Sequence, residues 1–214
     1  MSMIQGEKET TIISFIGMER CDILHYIADA GIKQNKKVLV IDNSYSNDYY
    51  SSFATMEDGI FVEIGDLMVV KNIRFSENLY AKFDYVFVYH GRNLEKESYQ
   101  CSDLRYVMTN YQPTQIQELH KIEFDHSLVH HMIFRDKVLK KITEDIVVDE
   151  IQITVGEIYV LPIDMKDYEL YLMLSYNSFK KLAGCSQDMY QTILKMGTCI
   201  YGIDEKQMKK IMKK

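Results

Sequence analysis

The sequence predicts an α/β fold: a doubly wound, mostly parallel sheet with helices on both faces. Two observations predict it. Three mostly apolar runs, at residues 11–16, 38–42 and 84–89, lack the polar alternation of a half-exposed strand, which is typical of parallel strands that helices cover on both sides. Apolar residues at helical spacing fill the segment 23–32 between the first two runs, so that strand, helix and strand form a βαβ unit.

The remaining elements continue this alternation. Apolar runs and helical spacing predict strands at 60–64, 105–109, 130–134 and 157–161, and helices at 76–82, 113–122 and 186–202. With 214 residues, two prolines and ten glycines, the chain suits a single domain, 1–214, without an internal flexible linker.

Composition and charge argue against several classes of protein. The net charge of −6 opposes a general nucleic-acid binder, because such proteins present a basic surface to the phosphates, so no nucleic-acid partner is expected. Four isolated cysteines form neither a C-x-x-C pair nor a secreted disulfide framework. The polar first residues predict no signal peptide, and no apolar run reaches the roughly 18 residues of a membrane span. We therefore expect a cytoplasmic protein whose membrane contact is at most peripheral.

The turn after the first strand is the usual phosphate site of an open parallel sheet. A phosphate loop needs glycines that let backbone N–H groups approach, a lysine for the β- and γ-phosphates and a hydroxyl for Mg²⁺. Here the turn reads Gly17-Met18-Glu19-Arg20-Cys21-Asp22, with one glycine, no lysine and no hydroxyl. These residues are poorly suited to a triphosphate.

The order of the motifs resembles the ParA/MinD superfamily of ATPases. Residues 13–17 and 36–42 are similar to the opening of that family, and 83–88 to its strand before a second carboxylate. Residues 161–164, Leu-Pro-Ile-Asp, are similar to a late turn of the family. The resemblance spans residues 11–202 and implies the family's nucleotide-binding fold.

The departures from the family's pattern fall on its nucleotide site. The loop is shorter by roughly six residues, which removes most of the phosphate cradle. Arg20 lies near the position of the catalytic lysine, Cys21 and Asp22 near those of the two hydroxyls, and Tyr89 at the second carboxylate. Of the acidic set Asp42 remains, so Mg²⁺ lacks its usual ligands. The resemblance therefore implies a vestigial nucleotide site at Gly17, Arg20, Cys21, Asp22, Asp42 and Tyr89.

These departures indicate a pseudo-ATPase that is not an enzyme and needs no cofactor. The sequence Phe134-Arg135-Asp136 also stands where the family has a base-contacting asparagine pattern. Within the superfamily the chain most resembles the TadZ/CpaE branch, which positions pilus or secretion machinery at the cell pole. The segment 176–178 and the final helix carry that likeness, which implies an adaptor or localisation factor. Its expected partners are a second copy of the chain and a pilus or secretion ATPase.

Two alternatives stay open. The first is a weak nucleotide-binding regulator or ATPase that uses Arg20 and Asp42. The second is a DNA-partition-type protein, which needs a basic face. Arg20 itself has two interpretations: a phosphate ligand at a helix N-terminus, or a surface arginine that pairs with Asp22 or Asp42.

Two groups of side chains suggest other chemistry. His126 and His130 have the spacing of two metal ligands on a helix, but the predicted strand there favours ordinary loop and strand-end histidines, and no metal is expected. Cys21 and His25 lie one helical turn apart. They are either a nucleophile pair whose thiol pKa the helix lowers, or a cysteine that fills a small turn.

The C-terminal residues 203–214 form a basic tail for which we expect flexibility. Met208, Ile211 and Met212 share one helical face with lysines around them. This arrangement resembles a short version of the C-terminal helix with which some MinD relatives touch membranes.

Overall fold

A computed structural model describes residues 10–53, 59–138, 141–176 and 184–213. Strands and helices alternate along them. In chain order these are β1 (Thr11–Gly17), α1 (Asp22–Ile32), β2 (Val38–Asp42), α2 (Asp48–Ser51), β3 (Phe61–Ile64), β4 (Leu67–Lys71), α3 (Glu77–Tyr80), β5 (Tyr85–Gly91), α4 (Lys96–Cys101), β6 (Leu104–Thr109), α5 (Pro113–Leu119), β7 (Val129–Lys137), α6 (Glu144–Ile151), β8 (Thr154–Pro162), α7 (Met165–Tyr176), α8 (Gln187–Tyr201) and α9 (Glu205–Lys213).

The strands form one sheet in the order β3-β4-β2-β5-β1-β6-β7-β8. Every neighbouring pair is parallel except β3 and β4, which are antiparallel at one edge. The predicted α/β class, with a doubly wound and mostly parallel sheet, is confirmed.

Successive residues of the central strands enter different cores. Ile13 and Phe15 of β1 face a core formed with α1, α7, α8 and α9, whereas Ile16 packs with α4, α5 and α6 on the other face. On the same second face, Val86 and Val88 of β5 pack with α3. Because both faces are covered, the strands stay apolar throughout, as the sequence indicated.

The C-terminal tail is a packed helix, so the expected flexibility is wrong for 205–213. Met208 is fully buried and Ile211 nearly so, both in the core that α8 shares with α1. The helices approach closely at Gly197, where a Cβ would overlap the side chain of Met208. Met208, Ile211 and Met212 do share a face, but that face contacts the protein interior.

Several elements differ from the prediction. The strand β4 was missed, although Gly65-Asp66 between two apolar runs is a hairpin signal. Helices α2, α4, α6 and α7 were also missed, because three are short and α7 distributes its apolar residues around its axis. The expected strand at 130–134 extends over Val129–Lys137. Residues 177 and 178 of the TadZ/CpaE-like segment lie outside the described residues. Within the described ranges, no helix combines the length and apolarity that membrane crossing requires.

Candidate functional site

The carboxyl ends of seven parallel strands meet at one edge of the sheet, and five of the six predicted site residues lie at or just beyond them. Asp42 ends β2 beside Tyr89 of β5, its register partner. Gly17 ends β1, and the turn that follows carries Arg20 and Cys21. Asp22, the sixth, begins α1 directly after that turn.

Gly17 makes the turn after β1 possible. Its φ is +100°, and a Cβ there would overlap the carbonyl oxygen of Met108 and lie 3.0 Å from Leu119. The same carbonyl accepts a hydrogen bond from the Met18 N–H at 2.8 Å. The glycine therefore lets the turn lie against β6, a structural role that phosphate binding does not require.

The carboxylate of Asp22 occupies the N-terminus of α1. It is 1% exposed and accepts Arg135 Nη2 at 2.8 Å on one oxygen and Arg135 Nη1 at 3.2 Å on the other. The backbone N–H of Ile23 donates to it at 2.9 Å, and Arg20 Nε at 3.2 Å. A helix N-terminus favours an anion. In this chain the anion is the protein's own side chain, bound by a bidentate guanidinium.

Arg20 is buried in the same cluster, so its interpretation as a surface arginine is wrong. Its side chain is 6% exposed, and Nη1 lies 3.2 Å from Asp136 Oδ1. The Tyr171 ring centroid is 5.0 Å from its Cζ and that of Tyr168 5.8 Å. The predicted pair with Asp22 is confirmed, at 3.2 Å, whereas the alternative partner, Asp42, makes no ion pair with Arg20.

Asp136 reaches Arg20 through an irregularity in β7. The register between β7 and β8 shifts between Phe134 and Lys137, and Asp136 has a φ of +56°. Bulges commonly redirect a side chain at the rim of a sheet, and aspartate tolerates the left-handed region better than most residues. Two arginines and two aspartates thus form a cluster with no net charge.

Asp42 is also satisfied from within the chain. Its Oδ1 accepts the Ser44 N–H at 3.1 Å and the Ser44 hydroxyl at 2.6 Å, and its Oδ2 accepts the Tyr50 N–H at 2.9 Å. Burial raises the pKa of Asp42 to about 6, although these hydrogen bonds oppose the rise. The carboxylate closes the loop after β2.

Glu19 supplies a fourth carboxylate that is bound within the chain. Its oxygens accept the backbone N–H groups of Tyr45 at 3.2 Å and Ser46 at 3.1 Å. Successive N–H groups of this kind form an anion-binding concavity. Gly91, with a φ of +54°, leaves the room that Glu19 needs, because a Cβ there would lie 2.8 Å from its Cγ.

Cys21 lies in an acidic, buried environment. Burial raises the pKa of its thiol well above the ordinary value, and the nearby carboxylates of Asp48 and Asp22 raise it further. This is the opposite of the lowered pKa that a nucleophile requires. His25 is buried among the rings of Tyr26, Tyr49 and Phe53. The interpretation of Cys21 as a residue that fills a small turn is the one that fits.

Tyr89 is buried where the resemblance implied a lost carboxylate. Burial raises the pKa of its phenol well above the ordinary value, and Asp48, Cys21 and Asp42 raise it further. The structure therefore brings Tyr89 together with Cys21 and Asp42. It adds Asp48, which was not predicted from the sequence.

The histidines around 126–131 make separate structural contacts. His126 Nδ1 donates to the Gln152 carbonyl at 2.7 Å, and His131 Nδ1 accepts the Glu157 N–H at 3.1 Å. His130 is buried, lies 2.8 Å from the Tyr99 hydroxyl, and has its pKa lowered to about 4 by burial. In the described part of the chain, no group of three or more His, Cys, Asp or Glu residues is arranged to hold a metal ion.

Beside the filled turn, a cavity of about 480 Å³ opens at the ends of β6, β7 and β8. Its lining is largely apolar, with Arg20 and Asp136 on one side: the other residues are Asn110, Tyr111, Gln112, Val138, Ile163, Met165 and Tyr168. Concave sites of this size and character are typical of ligand or partner binding in α/β proteins.

The residues that close the turn were not predicted from the sequence. Arg135 was noted as a departure from a base-contacting pattern, but its pairing with Asp22, 113 positions away, depends on the parallel packing of β1, β6 and β7. A buried arginine at the end of an apolar strand was the one available signal, because such a charge needs a partner.

Comparisons with known proteins identify the fold. No sequence profile of a protein family and no curated protein matches the chain. A solved ParA family ATPase from Chlorobium tepidum superposes with a TM-score of 0.64 at 16% identity, covering 89% of this chain and 98% of that one. The MinD cell division protein of Aquifex aeolicus gives 0.58 at 13% identity, covering 91% and 98%. A chain of the Aquifex aeolicus MinC:MinD complex gives 0.62 at 14%, covering 91% and 97%.

The chain has the ParA/MinD fold. The similarity extends over nearly the whole length of the solved chains. At these identities the likeness establishes architecture alone.

Proposed function

We propose that the chain is a non-catalytic pseudo-ATPase with the ParA/MinD fold, acting as an adaptor or localisation factor for a protein machine such as a pilus or secretion system. The observation that carries the proposal is the buried Asp22 carboxylate, which Arg135 and Arg20 bind at the N-terminus of α1. The favoured position for a phosphate is filled by an anion that cannot leave.

Electrostatics support the loss of phosphate binding. A phosphate beside Asp22 adds a second negative charge within a few ångströms in a buried setting, where repulsion is only weakly screened. Displacing Asp22 instead breaks four hydrogen bonds and leaves a buried carboxylate unpaired. The second route costs several kcal/mol, which opposes triphosphate binding at this turn.

The protein-binding part of the proposal has separate support. The fold itself forms protein complexes, since one similar structure is a MinC:MinD complex. The TadZ/CpaE-like pattern of the sequence supplies the kind of machine, and a pilus or secretion ATPase is the proposed partner.

Calorimetric titration of Mg-ATP into the whole chain tests whether the protein still binds nucleotide. No saturable heat is expected at micromolar to millimolar nucleotide. Micromolar, magnesium-dependent affinity, or ATP turnover above background, would contradict the proposal.

A matched pair of variants tests whether the negative charge of Asp22 is what excludes phosphate. In Asp22→Asn the internal negative charge is removed while the side chain keeps its size, so inorganic phosphate should raise its melting temperature by neutralising Arg20 and Arg135. Wild type and Asp29→Asn, altered on the partly exposed face of the same helix, should not respond. Equal responses in all three proteins would show that Asp22 does not block an anion site.

A second candidate is a weak nucleotide-binding regulator or ATPase that uses Arg20 and Asp42. The cavity of about 480 Å³ favours it, because Arg20 lines a concave site at the carboxyl ends of the strands, where open α/β sheets bind ligands. The same calorimetric titration with Mg-ATP decides between the two candidate functions. If nucleotide binds in the cavity, Arg20→Gln should abolish the heat of binding.

A further inference from the structure

The loop after β2 leaves the sheet on the opposite side from the loops of its two neighbours, β4 and β5. After β2 the chain turns to α2, whose Tyr49 and Tyr50 pack in the core with α1. The strands β4 and β5 continue instead into α3 and α4, which pack on the second face. In open α/β sheets such a divergence of connections opens a crevice beyond the carboxyl ends of the strands, where ligands bind.

An asparagine follows each of these three strands, and all three asparagines line a cavity of about 430 Å³. Asn43 comes directly after β2, Asn72 directly after β4, and Asn93 in the turn after β5. We call this cavity the asparagine pocket. It shares no lining residue with the cavity at the ends of β6, β7 and β8.

Asn43 brings an unpaired acceptor to the asparagine pocket. Its Nδ2 donates to the Ile73 carbonyl at 2.9 Å, which fixes the other polar atom of the amide as the oxygen. The residue is 5% exposed, and no donor in the described part of the chain reaches this Oδ1. A buried acceptor without a donor is unfavourable, so the oxygen favours a ligand that supplies an O–H or N–H group.

Hydrogen bonds between the three turns hold the pocket in shape. Asn43 binds the turn after β4 through Ile73, and its own carbonyl accepts Asn93 Nδ2 at 3.2 Å from the turn after β5. The N–H of Asn72 donates to the Asp42 carbonyl at 3.0 Å. Asn72 has a φ of +54°, in the left-handed region that asparagine tolerates. The pocket is therefore formed before a ligand binds.

Two exposed cations, Arg74 and Lys96, line the same pocket. Neither is in an ion pair with another described residue. Glu95 also lines the pocket, but its carboxylate accepts the Ser98 N–H at 2.8 Å at the start of α4. Two cations and one carboxylate give this lining a positive charge in a chain of net charge −6, so the pocket attracts an anion.

These groups discriminate between classes of ligand. A metal cation is opposed by Arg74 and Lys96. A nucleobase finds no aromatic ring to stack on among the described residues of the lining. Hydroxyl groups suit the three amides, because a hydroxyl both donates to an amide oxygen and accepts from an amide N–H.

We propose that the asparagine pocket binds a sugar that carries one phosphate group. A sugar hydroxyl donates to Asn43 Oδ1, and the phosphate binds Arg74 and Lys96 at the rim. The site lies apart from the filled turn after β1. The inference therefore goes beyond the proposed function and does not depend on it.

Calorimetric titration of the full chain, without Mg-ATP, tests the proposal. The probes are glucose 6-phosphate, fructose 6-phosphate and ribose 5-phosphate, and each is compared with its free sugar and with inorganic phosphate. At least one sugar phosphate should bind about tenfold or more tightly than both, because it alone satisfies the amide oxygen and the cations together.

Matched variants assign the binding to the pocket. Lys96→Gln should weaken the sugar phosphate about tenfold, whereas Lys82→Gln, at an exposed lysine outside the lining, should not. Asn43→Ala should weaken it by a similar factor, with Asn78→Ala on the exposed side of α3 as its control. Unchanged far-UV circular dichroism shows that each variant is folded, and Lys96 is exposed, so its test does not depend on the buried Asn43.

Three outcomes overturn the proposal. If no sugar phosphate binds, Asn43 Oδ1 is satisfied by water alone. If inorganic phosphate binds as tightly as the sugar phosphates, the pocket is a site for a free anion. If Lys96→Gln and Lys82→Gln act alike, the sugar phosphate binds elsewhere.

Discussion

The turn after β1 and the cavity beside α7 lie at the same end of the sheet but differ in how their side chains are satisfied. In the turn, Asp22 is 1% exposed and both of its carboxylate oxygens accept hydrogen bonds from the chain itself. Around the cavity, Val138 and Met165 are about two-thirds exposed and contact water. One region has its charged groups paired within the chain, and the other leaves large apolar side chains exposed.

The difference indicates where this fold can still recognise another molecule. A buried ion cluster stabilises one arrangement of the turn and resists rearrangement. An exposed apolar rim gains free energy when a partner covers it. Substitutions in each region test this contrast.

Asp22→Ala should lower the free energy of unfolding by about 3–5 kcal/mol, because it leaves the buried guanidiniums of Arg135 and Arg20 without their shared carboxylate. Urea denaturation measures the change. Asp29→Ala is the control: its pair with Lys33 at 2.6 Å is partly exposed and should contribute less than about 1 kcal/mol. Similar losses in the two variants would mean that the cluster does not hold the turn.

Gly17→Ala should destabilise the chain by about 1–3 kcal/mol more than Gly184→Ala. Both glycines have nearly the same φ, +100° and +99°, but a Cβ at Gly17 meets Met108 and Leu119, whereas at Gly184 it meets nothing within 4 Å. The two positions therefore share the same unfavourable φ for alanine, and the difference in unfolding free energy measures the contact of the turn with β6. Equal losses of unfolding free energy in the two variants would show that the contact of the turn with β6 leaves room for a Cβ.

His90→Gln should change how stability depends on pH. His90 is buried in β5, where its Nδ1 accepts the Glu95 N–H at 3.0 Å and its Nε2 lies 3.0 Å from the Ser14 hydroxyl. Burial lowers its pKa from 6.5 to about 4, against the opposing effect of Glu95. The unfolded chain therefore binds a proton that the folded chain does not bind, and stability is lost as pH falls from 6.5 to 4.

The contribution of His90 to this loss is at most about 1.4 kcal/mol per pH unit. Denaturation midpoints measured between about pH 7 and pH 4 should fall less steeply in His90→Gln than in wild type. Asp42, whose raised pKa acts in the opposite sense over part of the same range, is present in both proteins and cancels. Equal pH dependence of the denaturation midpoint in the two proteins would mean that folding does not lower the pKa of His90.

The sequence predicted the architecture better than the site, for physical reasons. The runs at 38–42 and 84–89 predicted buried parallel strands, because apolar periodicity is a local property. The short helices α2 and α4 carry too few turns for periodicity to show. The C-terminal lysines suggested a solvated tail, but burial of Met208 against α8 decides the outcome, and burial depends on the whole fold.

The candidate site required contacts between distant residues. The missing lysine and hydroxyls of 17–22 are evident in the sequence. The pairing of Asp22 with Arg135 is not, because it joins residues 113 positions apart. The binding of two loop N–H groups by Glu19 likewise depends on the space left at Gly91.

The smallest effect on folding is expected at the cavity. Ile163→Ser should change the free energy of unfolding by no more than about 0.5 kcal/mol, because Ile163 is 57% exposed and loses little burial. Ile16→Ser, at a position 1% exposed, should cost several kcal/mol through the lost burial, the cavity and the buried hydroxyl. Urea denaturation of both variants measures the contrast, and a loss above about 1 kcal/mol in Ile163→Ser would mean that the rim supports the fold. Ile163 contributes little to folding, so its exposed apolar surface stays in contact with water unless a partner covers it.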